Sequence, residues 1–240
     1  MRKTLLMCSL GCGLSFLALL IGAEESADQS GDEAGDRYAE LVERDGKFDE
    51  VFVLPGTDMG RFDKVFLWGA QFEYRDVGPA QKTRGTMLST HKREFGISEE
   101  DRKKFEEAVG EAFRKEINKG KQFTVIESID EVDASTLIMR GALVDIISRV
   151  PPETVGRSDV YLSSIGAATF VIELIDAKSG SVIALVAERR SIDTLNARSG
   201  LASVPANSAS ILGDIRRWSG SLARRLRGRL DDVIGEKVST

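Results

Sequence analysis

The stretch AATFVIELIDAKSGSVIALVAE, residues 167–188, decides the fold class. Two apolar, β-branched runs, Ala167–Ile175 and Ser181–Glu188, flank Asp176-Ala177-Lys178-Ser179-Gly180. A short polar link with glycine where positive φ is needed reads as a hairpin loop, so the runs are antiparallel neighbours in a sheet. An aspartate opening such a loop bonds its own backbone two residues on, which accounts for Asp176 without chemistry. Glu173 sits inside the first run. A strand glutamate can simply face water, and the pattern leaves its role open.

Working outward, Gln122–Ile126 and Thr136–Val150 are also β-branched-rich, and Pro151-Pro152 ends the second. Ahead of them, Ser98 caps a helix with Glu99, Glu100 and Asp101 in its first turn. Phe105, Val109, Phe113 and Ile117 recur along it until Gly120. Downstream, polar Ser191–Ser208 leads to a second helix, about Ser210–Ile234. Its apolar stripe is Ile211, Ile215, Trp218, Leu222, Leu226, Leu230 and Val233. Upstream, Lys64–Tyr74 alternates, placing Phe66, Trp68, Ala70, Phe72 and Tyr74 on one face of a strand buried on one side. Asp36–Arg44 has the spacing of a short helix, and Asp76–Gly96 is a polar loop. These elements predict an α+β two-layer sandwich. Its sheet is mostly antiparallel, of about five strands, with two main helices on one face.

At 240 residues the chain suits one well-buried domain, over 36–240. Residues 1–23 stand apart: Arg2 and Lys3, then apolar Leu5–Leu20, then Ile21-Gly22-Ala23. That layout is a secretory signal peptide, with cleavage favoured after Ala23. Two alternatives are an uncleaved anchor and lipidation at Cys12. Against lipidation, Ser9 stands where leucine is usual, and Leu14–Leu20, the most apolar part, follows the cysteine. Export would place the protein in the periplasm or on a membrane of the cell envelope. Cleavage would remove both Cys8 and Cys12, and with them any disulfide or thiolate ligand. Residues 24–35 form an acidic, flexible segment. Over 24–50, eleven acids face only Arg37, Arg44 and Lys47, so the low pI says little about the folded part.

The chemistry-bearing patterns are few. Pro55-Gly56-Thr57-Asp58-Met59-Gly60 lacks the lysine and the following helix that a phosphate loop needs, so it reads as a turn, with Asp58 and Asp63 its ligand candidates. His91, the single histidine, lies beside Lys92 and Arg93 in a charged loop and reads as solvated. Ser89-Thr90-His91-Lys92 matches an SxxK spacing, but its companion motifs are missing. Asp130-Glu131-Val132-Asp133 lacks the alternation and glycine of a calcium loop. No catalytic residue, metal site or cofactor is expected, and no nucleic acid.

RRWSGSLARRLRGRL, residues 216–230, carries Arg216, Arg217, Arg224, Arg225, Arg227 and Arg229 and no acid. Helical geometry turns Arg217, Arg224 and Arg227 away from the apolar stripe, with Arg216 and Arg225 flanking it and Arg229 close to it. Such a face suits an anionic membrane or polymer surface, or another envelope protein. It equally suits a solvated helix whose arginine stems cover the core edge.

Four pieces together resemble a known group: Tyr38-Ala39-Glu40-Leu41, VLPGTDMGRFDKVFLW, ISEEDRKKFEEAVGEAF, and FVIELIDAKSGSVIALVAERR with Trp218 and Leu222 beyond. They are similar to the bacterial exported proteins grouped as domain of unknown function 3313, many of them envelope lipoproteins. Phe62-Asp63-Lys64-Val65 stands at the group's tyr-lys-val strand start, and Asp176–Gly180 at its asp-x-x-thr-gly hairpin. The likeness spans about residues 36–230. It departs in the poor lipobox around Cys12 and in a missing Gly-Pro pair before Thr136. The resemblance implies a non-enzymatic envelope module, with no catalytic residues to carry over. The expected function is therefore a binding or assembly module of unknown ligand. The alternative is a carboxylate-dependent hydrolase of an envelope polymer, which would need a cleft holding two converging acids.

Overall fold

The computed structural model describes residues 37–77, 94–151, 162–195 and 208–235. The leader, the acidic segment, Cys8, Cys12, His91 and the Ser89–Lys92 pattern lie outside the described residues. Among the described residues, one sheet holds seven strands: β1 (Val42–Glu43), β2 (Glu50–Val53), β3 (Lys64–Tyr74), β4 (Thr124–Ile126), β5 (Thr136–Ser148), β6 (Ser164–Asp176) and β7 (Val182–Asp193). Their order is β1-β2-β7-β6-β5-β3-β4. Two helices, α1 (Glu99–Ile117) and α2 (Ser208–Gly235), complete the α+β architecture.

The β6–β7 hairpin forms because its loop satisfies itself. Gly180 takes φ +71° and its N–H donates to the Asp176 carbonyl at 2.8 Å. The Asp176 carboxylate accepts from Lys178 N–H at 3.0 Å and Ser179 Oγ at 2.7 Å, and meets Arg61 at 2.5 Å. Ser98 starts α1, its Oγ accepting from Asp101 N–H at 3.2 Å. One sheet face carries both helices. Phe105, Val109 and Ile117 of α1, with Trp218, Leu222, Leu226 and Leu230 of α2, bury against Met139, Leu143, Ile172, Leu174 and Val186. The stripe spacing puts these side chains on one side of each helix, and removing them from water drives the packing.

Three expectations are corrected. The sheet is mostly antiparallel as expected, but it has seven strands rather than about five and is mixed, because β3 pairs parallel with both β4 and β5. Helix α1 intervenes between β3 and β4, and a crossover returns the chain in the same direction. Residues 127–135, tightened by a 3-10 turn at Ile129–Glu131, then carry the chain past β3, so that β5 pairs on its other side.

Second, β3 does not keep one face along its length. Its register to β5 shifts between Leu67 and Gly69, where Gly69 takes φ +122°. An inserted residue reverses a period-two pattern. Val65 and Leu67 therefore join the helix-side core before the bulge, and Phe72 and Tyr74 join it after, both meeting Phe105 edge-on. Trp68 is left 59% exposed.

Third, residues 37–40 turn and Val42–Glu43 form a strand, where the spacing of Asp36–Arg44 predicts a helix. So short a helix is marginal alone, and tertiary partners decide. Val42 pairs with Val53, Leu41 packs on the patch of Ala142, Val171, Leu185 and Ala187 on the helix-free face, and Tyr38 reaches Glu173. Asp36 itself is outside the described residues.

The Pro55–Gly60 segment is a turn, with Gly56 at φ +78° and Thr57 Oγ donating to the Leu54 carbonyl at 2.9 Å. It is not a hairpin. β2 and β3 lie apart, with β7, β6 and β5 between them, and the link runs across the end of the sheet.

Candidate functional site

Between the two layers lies a cavity of about 180 Å³. Its inner wall is fully buried: Met139 and Leu143 of β5, Phe170 and Ile172 of β6, Trp218 and Leu222 of α2. Gly69, Ala70, Gly110 and Arg114 line its exposed side. Glycine helps make the space. A Cβ on Gly110 would meet nothing within 4 Å, although glycine inside a helix costs about 1 kcal/mol against alanine.

Two polar groups in this lining lack partners. The Trp218 indole N–H and the Ser219 hydroxyl are buried, on residues 4% and 2% exposed, and neither makes a hydrogen bond. Buried polar groups are nearly always bonded, and an unpaired one costs about 1–3 kcal/mol. The charged groups of the lining are Glu106 and Arg114. Tyr74 donates to Glu106 at 3.0 Å while the Arg102 guanidinium lies 4.6 Å above the tyrosine ring. Burial, then the bond to Glu106, pushes the Tyr74 phenol above its usual range, so it stays a donor.

Two other cavities differ. One of about 380 Å³ lies between the Pro55–Thr57 turn and the end of α2, with Val53, Leu54, Leu226 and Leu230 in its wall and Arg44, Asp45, Lys47 and Arg229 at its charged positions. One of about 290 Å³ sits by Tyr74, Arg75, Arg102 and Ile146. The acids lining the three are Glu106, Asp45 and Asp76, one in each.

The six arginines of α2 are all engaged. Arg217 bonds Asp214 at 2.7 Å, Arg225 bonds Glu188 of β7 and lies over the Phe48 ring, and Arg227 lies 3.8 Å from Glu116 and donates to its carbonyl. Arg216, Arg224 and Arg229 stand 3.6 Å from Glu111, Glu116 and Asp232. The arginines thus tie α2 to α1 and to β7. Arg227, read from the helical wheel as pointing outward, is tucked against the C-terminal turn of α1 with 20% of its side chain exposed.

The remaining singled-out residues have structural partners. Glu173, 1% exposed, is bound by Arg140 and Tyr38 on the helix-free face. Asp58 caps Gly60 N–H at 3.0 Å, and Asp63 accepts from Ser135 Oγ at 2.6 Å. Ser128 and Glu131 form a reciprocal cap, and Asp133 pairs with Lys64 at 2.5 Å. Among the described residues no three potential ligands converge on a metal position, and no helix is long and apolar enough to cross a membrane.

Sequence reading passed over the cavity because Trp218 fits the apolar stripe and serine is unremarkable in a helix. One signal was present. Ser219 follows Ile215 by four residues and precedes Leu222 by three, so a hydroxyl sits on the buried stripe.

No family model and no curated protein matches the chain. Among solved structures, it is similar to a PelC dodecamer of Paraburkholderia phytofirmans at 11% identity, over 74% of this chain and 96% of that one, with a TM-score of 0.33. A Xanthomonas campestris protein described under domain of unknown function 330 is similar at 11% identity, over 78% and 93%, with a TM-score of 0.38. A neuraminyllactose-binding hemagglutinin homolog of Helicobacter pylori is similar at 13% identity, over 72% and 88%, with a TM-score of 0.36.

Proposed function

We propose that this chain is a non-catalytic, exported cell-envelope binding module that takes a small apolar ligand in the cavity between α1, α2 and the sheet. The observation that carries the reading is the buried, unpartnered pair Trp218 Nε1 and Ser219 Oγ in a wall whose other buried residues are apolar. A cavity with a few polar groups in apolar surroundings is the usual form of a small-molecule site. The hydrolase alternative requires two carboxylates roughly 5–9.5 Å apart flanking the scissile bond, and the cavity lining supplies Glu106 alone. Export rests on the leader's layout and on the resemblance to the envelope group.

Binding is tested by titrating the Trp68→Phe protein with a small aromatic hydrocarbon and following Trp218 emission. Saturable binding that Gly110→Leu abolishes supports the site. Absence of any saturable change removes it. N-terminal sequencing of the protein from cells tests export: a start at Glu24 supports cleavage, and a lipidated start at Cys12 moves the protein to an anchored form.

A further inference from the structure

Resting on the reading of this cavity as a ligand site, we propose what the ligand is. It is a neutral aryl or short acyl compound whose carbonyl, ester or hydroxyl oxygen meets the buried wall that holds Trp218 and Ser219.

Size comes first. A cavity of roughly 150 Å³ lined by aliphatic and aromatic side chains holds a benzene-sized guest. At about 180 Å³, this one suits a single ring, or a chain of roughly six to eight carbons. A long acyl chain would have to leave by the exposed side, past Gly69, Ala70 and Gly110.

Polarity decides what meets that wall. Met139, Ile172 and Leu222 share this lining and are each 1–2% exposed, and the two unpartnered atoms are themselves buried from outside water. The indole N–H can only donate, and the hydroxyl can donate or accept. A guest oxygen that accepts from the indole N–H satisfies it, whereas a pure hydrocarbon leaves it dry. Charge is excluded from this wall. The cation of the lining, Arg114, is on the exposed side, and a carboxylate driven inward would be stripped of water without a counter-charge.

The test uses two probes of one shape, acetophenone and isopropylbenzene, which differ by a carbonyl oxygen in place of a methyl group. If apolar transfer alone governed binding, the hydrocarbon would bind better, because burying a methyl-sized group is favourable. The proposal expects acetophenone to bind at least roughly tenfold more tightly, the size of one well-made hydrogen bond against an unmet one. In Trp218→Phe with Ser219→Ala the ratio of the two affinities is expected to fall below roughly twofold, whatever the larger cavity does to both probes alike. Ligand-observed NMR reads both, since the variant loses its indole. Retained hydrocarbon binding and a cooperative thermal transition show that the variant is folded. Should it not fold, Ser219→Ala alone is expected to narrow the ratio. If isopropylbenzene binds as well as or better than acetophenone to the native protein, the oxygen preference is overturned and the cavity reading stands. If neither binds, both fall.

Discussion

Arg140 and Glu173 stand opposite each other on β5 and β6, and the Arg140 Nε–H donates to the glutamate at 2.7 Å where Glu173 is 1% exposed. Tyr38 closes the arrangement from the N-terminal turn, its phenol pushed up in pKa by burial and then by Glu173, so it remains a donor. Removing one partner of a buried pair leaves a charge without compensation. Arg140→Met or Glu173→Gln is expected to cost about 3–5 kcal/mol in urea unfolding. The joint Arg140→Leu, Glu173→Leu protein should be more stable than either. Tyr38→Phe should cost about 1 kcal/mol.

Acid should unfold the protein through carboxylates held ionised. Burial pushes Asp176 up, but bonds from Ser179 and Arg61 outweigh it, and its pKa is lowered. Glu116 is lowered chiefly by Lys119, against burial. Asp145 is lowered because Arg75 and Arg189 outweigh its burial. Such groups contribute fully above their unfolded pKa, about 4, and lose that contribution as pH falls through the folded value. Glu50, raised by burial and then by Glu43 and Asp49, acts in the opposite sense. Melting temperature is expected to hold between pH 7 and about 5 and to drop below about 4. A melting temperature that rises on acidification would contradict this.

Asp145 combines charge with backbone strain. It sits at φ +54° where β5 shifts register against β3 and β6, and accepts from Arg75 and Arg189 at 2.6 Å. Asparagine tolerates that conformation and alanine does not. Asp145→Asn should cost only the exposed ion pairs, about 0.5–1 kcal/mol. Asp145→Ala should cost about 1–2 kcal/mol more. Equal losses in the two variants would mean that φ carries no strain.

Glycine-to-alanine substitution should have opposite signs at two positions lining the same cavity. At Gly110, open space and helical φ let alanine stabilise by about 1 kcal/mol. At Gly69, φ +122° is nearly closed to L residues, and alanine should destabilise by about 1–3 kcal/mol. Thermal scans of the two variants decide it.

The arginines of α2 should sort by burial. Arg225→Met leaves Glu188, 5% exposed, with Arg190 alone and is expected to cost about 2–3 kcal/mol. Arg216→Met removes a pair exposed on both sides at 3.6 Å and should change stability by less than about 0.5 kcal/mol. Arg224→Met leaves the buried Glu116 with Lys119 and Arg227 and should cost about 0.5–1 kcal/mol. With the patch internally neutralised, pelleting with anionic vesicles at low salt should match that with neutral ones. A strong anionic preference, lost in Arg217→Glu with Arg224→Glu, would restore the surface-binding reading.

The hairpin at Asp176–Gly180, the Ser98 cap and the stripe of α2 were legible because each follows from local chemistry. The face reversal in β3 was not, since one glycine at positive φ changes the meaning of every later position. Parallel pairing of β3 escaped for a different reason: strand order depends on where crossovers land. Of the site, the apolar walls were readable as core positions. That the core leaves space there depends on how residues from β3, β5, β6, α1 and α2 fit together, which no local pattern encodes.

The link across the end of the sheet also orders events in time. β2 joins the sheet only through β7, Glu50 opposite Ala187 and Val53 opposite Ala184, while β1 hangs on β2. A chain growing from its N-terminus therefore carries its first two strands, paired only with each other, apart from the sheet until the last strand has been synthesised. Closing so long a loop is slow compared with forming the β6–β7 hairpin. The N-terminal flap seals a sheet already assembled, which makes it the part of the sheet that a nascent chain adds last and an unfolding one can release first.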